Sequence, residues 1–132
     1  MECPITRISE SPGRPPAELV AESGTREWYG NDSLWVALPR GGAEYFDDKY
    51  HMKIGWWRLV DGRLDLHAES LETRQMVTGA VHHSGYGSRG FQPSSIAFPR
   101  EGCWRITGAL GTAKVSFVAY VHLAPESDQT PP

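Results

Sequence analysis

The chain has 132 residues, 39% of them apolar, and a formal net charge of −3. That length fits one domain. The charge excludes the strong basic field on which nucleic-acid binding draws, and no apolar run nears the roughly 18–20 residues that a membrane-spanning helix needs. No signal peptide is visible at Met1-Glu2, so an export signal further upstream is an expectation.

Residues 1–27 carry Pro4, Pro12, Pro15 and Pro16 among serines and charges, with no strand or helix period. They predict an extended arm, with one helical turn at most over 17–22. Residues 28–123 hold the apolar runs, and residues 124–132 read as a disordered tail. Within the body, short runs rich in β-branched and aromatic residues lie at 34–38, 52–60, 63–70, 75–81, 94–98, 103–110 and 113–122. Gly, Pro or Asp bounds nearly all of them, which predicts an antiparallel all-β sandwich or small barrel.

Two turns fix expected registers. Asp61-Gly62 suits a type I′ turn. It pairs Leu59 with Leu64, Arg58 with Asp65, Trp57 with Leu66 and Trp56 with His67. Trp57, Leu59, Leu64 and Leu66 then face the core, and Trp56, Arg58, Asp65 and His67 face outward. Gly111-Thr112 suits type II′ and pairs Leu110 with Ala113, Gly108 with Val115, Ile106 with Phe117 and Trp104 with Ala119. Cys103 then points away from the core.

The cysteines, Cys3 and Cys103, are too far apart for a CxxC site. They are either free thiols, with Cys3 a candidate lipid-anchor residue, or one bridge. The outward direction of Cys103, with an arm able to lie over that face, favours the bridge. Closing so long a loop is worth about 4–5 kcal/mol by the chain-entropy argument.

Three patterns carry a resemblance. They are Trp28-Tyr29-Gly30-Asn31-Asp32-Ser33-Leu34-Trp35-Val36; Trp56-Trp57-Arg58 with Asp61-Gly62; and Gly85-Tyr86-Gly87-Ser88-Arg89-Gly90-Phe91-Gln92 leading to Phe98-Pro99-Arg100-Glu101-Gly102-Cys103-Trp104. Together they resemble a family of uncharacterised bacterial secreted proteins and lipoproteins. The resemblance implies export, an immunoglobulin-like sandwich and a Cys3–Cys103 disulfide. It implies no reaction, so no catalytic residue is carried over.

Candidate chemistry is sparse. His82-His83 are adjacent and His51 follows Asp47-Asp48, but neither HxH nor HExxH is present, so no metal or cofactor is expected. Asp65, His67 and Glu69 alternate on one strand and could form a base cluster, with Ser70 or Ser84 as a distant nucleophile. No GxSxG elbow accompanies them. The run Gly85–Gly90 lacks the lysine and following helix of a phosphate loop. It reads instead as a recognition loop whose Tyr86, Arg89 and Phe91 are contact-forming side chains.

The expected binding surface therefore joins Trp56 and His67 to His82, His83, Tyr86, Arg89 and Phe91. The function expected is a non-catalytic extracytoplasmic binding module for a protein or glycan partner. The alternatives are a structural accessory domain of the cell envelope and a hydrolase.

Overall fold

Period-two alternation sets the inner faces of the long strands. Met52, Ile54 and Trp56 are buried along one strand, Ile96 and Phe98 along another, and Val115, Phe117, Ala119 and Val121 along a third. The computed structural model describes residues 2–23 and 27–125. Its strands are β1 (Trp28–Gly30), β2 (Leu34–Ala37), β3 (Gly42–Phe46), β4 (Lys49–Arg58), β5 (Leu64–Ser70), β6 (Met76–Thr78), β7 (Ala80–Val81), β8 (Gly90–Phe98), β9 (Gly102–Leu110) and β10 (Ala113–Leu123), preceded by helix α1 (Ala17–Ser23).

The strands make an all-β sandwich. In one layer β2 and β3 pair with the same edge of β4, β8 with the other edge, and β7 lies beyond β8. In the facing layer β10, β9, β5 and β6 lie side by side. A short parallel pairing, His122 with Gly42 and Leu123 with Ala43, joins the layers at one edge. The chain changes layers between β4 and β5, between β6 and β7, and between β8 and β9. This is the ABED-against-CFG connectivity of an immunoglobulin-like sandwich, extended by a strand beside C.

The inter-layer contact differs from that of antibody domains. The disulfide does not cross between the layers. Trp56 on β4 packs against β9 at Gly108, where a Cβ would meet the indole Cη2 at 2.5 Å. Glycine at this position is what lets the ring lie against the strand. Phe117 completes the contact, with ring centroids 6.3 Å apart.

The β9–β10 hairpin has the expected register, from Ala113 opposite Leu110 to Ala119 opposite Trp104. Gly111 takes φ 62° there. The other expected hairpin does not form. Neither Asp61 nor Gly62 has positive φ, so no type I′ turn exists. Instead β4 pairs with β8 from Tyr50 opposite Phe98 to Arg58 opposite Gly90, and residues 59–63 carry the chain across to the other layer. The faces of β4 are accordingly reversed. Trp56 and Arg58 point inward; Trp57 points outward. The faces expected for Leu64 and Leu66 hold. Arg58 does not lie beside Asp65, which is opposite Ala109.

The run 75–81 is split at Gly79 between the layers. A Cβ at that glycine would come within 2.6 Å of the Leu66 side chain and 2.9 Å of Ile96. Strand β3 was absent from the expected set. Asp47 and Asp48, with φ 51° and 61°, make the two-residue turn that joins it to β4.

The arm runs over the sandwich and is tied at several points. Cys3 and Cys103 form a disulfide, with Cα atoms 5.6 Å apart. The Thr6 amide donates to the Val118 carbonyl at 2.9 Å, and the Val118 amide donates to Thr6 Oγ1 at 2.8 Å. These bonds cover the outer edge of β10, and covered edges suppress strand-to-strand aggregation. Helix α1 is longer than the single turn expected, and it buries Leu19 with Trp28 and Trp35 in a second apolar cluster. Trp35 is therefore buried beneath the arm and not between the layers. Of the expected tail, residues 126–132 lie outside the described residues, as do Met1 and residues 24–26 of the arm.

Candidate functional site: a groove on the outer face of the first layer

The outer face of the first layer carries Trp35 on β2, Lys53, Gly55 and Trp57 on β4, and Phe91, Pro93 and Ser95 on β8. The register puts Trp57 between Trp35 and Phe91, Gly55 opposite Pro93, and Lys53 opposite Ser95. At one end the cluster of Leu19, Trp28 and Trp35 packs against Trp57, so the indoles are roofed. Further along, Gly55 contributes no side chain and Pro93 a flat one. A groove of about 1010 Å³ opens there, with Ala37 and Pro39 on one side and His82, His83, Ser84 and Tyr86 on the other. That size suits a small ligand. Tyr86 and Phe91 meet almost edge to face, with centroids 6.2 Å apart.

Arg58 fixes the wall that carries Tyr86. It is 2% exposed. Its guanidinium has five N–H groups, and all five are used. Nη2 donates to the carbonyls of Tyr86 at 2.8 Å and Arg89 at 3.0 Å. Nη1 donates to Gly87 at 2.9 Å and Gly62 at 3.4 Å, and Nε donates to Gly90 at 3.3 Å. No carboxylate pairs with it among the described residues. Burial pushes the Arg58 pKa down, and the nearby Asp61 charge opposes that shift. Guanidinium stays charged in proteins, so the direction records the cost of desolvating the cation, which the carbonyl dipoles offset.

Gly85, Gly87 and Gly90 take φ 87°, 64° and 78°, a region that favours glycine. With these angles the loop turns its carbonyls inward on a cation, opposite in polarity to a phosphate loop, which turns its amides inward on an anion. The base of the loop is clamped as well. The His82 amide donates to the Pro93 carbonyl at 3.1 Å, and the buried Gln92 side-chain amide donates to the His82 carbonyl.

The expected composite surface is thus divided. His82, His83, Tyr86 and Phe91 line one groove. Trp56 does not join them. It is 0% exposed, and its Nε1 donates to Ser94 Oγ at 2.9 Å inside the core. His67 lies in the opposite layer, paired with Thr107 and Thr78, and faces away from the groove. Arg89 leaves the groove and pairs with Asp61 at 2.8 Å on the surface. The Glu69 carboxylate beside His67 faces Arg74 and Arg105, each at 3.7 Å. Buried Ser70 accepts from the Glu72 and Thr73 amides. The His51 ring stacks on Phe46, with centroids 3.6 Å apart. Among the described residues no three His, Cys, Asp or Glu side chains converge as a metal site, and no helix is long and apolar enough to cross a membrane.

Sequence reasoning missed Lys53, Gly55, Pro93 and above all Arg58. The Gly55–Pro93 floor exists only through the pairing of β4 with β8. No family model, curated protein or solved structure matches this chain.

Proposed function

We propose that the chain is a non-catalytic binding module acting outside the cytoplasm, with the groove over β4 and β8 as its binding site. The observation that carries this reading is a concavity of about 1010 Å³ on a rigid sheet face, walled by an aromatic loop that a buried guanidinium holds in shape. Binding sites are commonly built from loops on rigid scaffolds. The Cys3–Cys103 bridge favours an oxidising compartment, in keeping with the export that the resemblance implies. Binding is favoured over hydrolysis because, among the described residues, no carboxylate lines the groove to orient a histidine beside Ser84.

A structural accessory role is the competing reading, favoured by the burial of Trp56 and the remote place of His67. A small-molecule fragment screen followed by amide chemical-shift mapping separates the two. Shifts clustered on Lys53, Gly55, His82 and Tyr86 are expected of a binding module. No saturable shifts in that set would turn the reading to a structural role.

A further inference from the structure

The side chains lining the groove carry one sign of charge, although the chain as a whole is at −3. Lys53, His82 and His83 line it, and among the described residues no Asp or Glu does. The Lys53 ammonium makes no ion pair or hydrogen bond among the described residues, and neither imidazole ring makes a hydrogen bond. Three nitrogen-bearing side chains therefore face the groove without partners among the described residues. Ser84, Ser94 and Ser95 also line the groove, and its flat apolar surface runs from Pro93 on the floor to Tyr86 and Phe91 in the wall.

Resting on the groove reading, we propose that the ligand is a small anionic amphiphile, an oxyanion head on a flat apolar body. The head lies against Lys53 and the histidines, and the body lies along Pro93 and the Tyr86–Phe91 pair. Charge complementarity selects the head: a cation would meet only like charge and neutral nitrogen. The floor selects against an extended peptide. It is a sheet face whose amides are engaged between β4 and β8, and the edge beside it, Ala80–Val81, is too short for strand addition. The nearly perpendicular rings, at 68°, offer no coplanar platform for successive sugars.

The test uses two fluorescent probes with the same ring body, 1-anilinonaphthalene-8-sulfonate and the neutral N-phenyl-1-naphthylamine, titrated into the folded chain. The sulfonate should bind saturably and at least about tenfold more tightly than the neutral probe, the size of one well-placed charge contact. Lys53→Glu should cost the sulfonate about tenfold and leave the neutral probe within about twofold, with Lys53→Gln intermediate. Gly55→Leu, which fills the floor, should weaken both probes, as should Tyr86→Ala, a change on an exposed loop that leaves the core intact. Equal affinity for the two probes, or a sulfonate indifferent to Lys53→Glu, overturns the ligand class and leaves the groove standing. Probe binding unchanged by Gly55→Leu and Tyr86→Ala, or no binding of either probe, overturns the groove reading and the ligand class with it.

Discussion

Two segments outside the sheets are fastened to the same sandwich by opposite means. The arm is held from outside. Cys3 reaches the outward-facing Cys103 on β9, Thr6 bonds to the edge of β10, and Leu19 caps the indoles of Trp28 and Trp35. The groove loop is held from within. Arg58 projects from the inner face of β4, and its guanidinium collects the carbonyls of Gly62, Tyr86, Gly87, Arg89 and Gly90. The covalent tie acts chiefly by restricting the unfolded chain. The guanidinium acts only in the folded state, where each N–H replaces a lost contact with water. The difference teaches where each region should fail. The arm depends on redox state and the loop does not. The inward-turned carbonyls of the loop converge on a single cation, whereas the arm has contacts spread along its length.

Breaking the arm's tie should have the largest effect. Cys103→Ser, or full reduction, should lower stability by about 4–5 kcal/mol in urea unfolding, because the bridge closes a loop of nearly the whole domain. A loss below about 1 kcal/mol would place the arm's stabilisation in its noncovalent contacts.

Removing the loop's tie comes next. Arg58→Met should cost about 2–3 kcal/mol, the loss of several charge-assisted bonds partly offset by relief of a buried cation. Arg58→Lys should recover less than half of that, since an ammonium has only three donors and no planar fork. Full recovery by lysine would mean that charge alone, and not the five-fold geometry, holds the loop. The smallest effect sharpens the comparison. Arg89→Ala removes the exposed pair with Asp61 and should cost at most about 1 kcal/mol. A larger loss in the same unfolding measurement would make that surface pair a second anchor of the loop.

The legibility of these regions in the sequence follows the reach of the interactions. At Gly111-Thr112 the signal and the partners are local, and the register followed from them. At Asp61-Gly62 the same kind of signal failed because β4 is claimed by β8, thirty or so residues on, a pairing that alternation within β4 does not announce. Trp56 and Trp57 are adjacent, so one wrong turn exchanged their faces. The bridge was legible because the outward direction of Cys103 followed from the correct hairpin. The glycines at 85, 87 and 90 marked a special loop, but what it encloses is a cation from a distant strand. The groove was half legible. Its loop side chains stand together, and its floor needed the non-local register.

The most direct test of the guanidinium latch is ¹⁵N backbone relaxation of the wild-type chain and Arg58→Met. In the wild type, residues 85–90 should show order parameters near about 0.8, close to those of the strands. In the variant they should fall below about 0.6, while Thr6 and Val118, held by the other tie, stay unchanged. A loop already mobile in the wild type, or one equally ordered without Arg58, would contradict a groove wall set by that single buried cation.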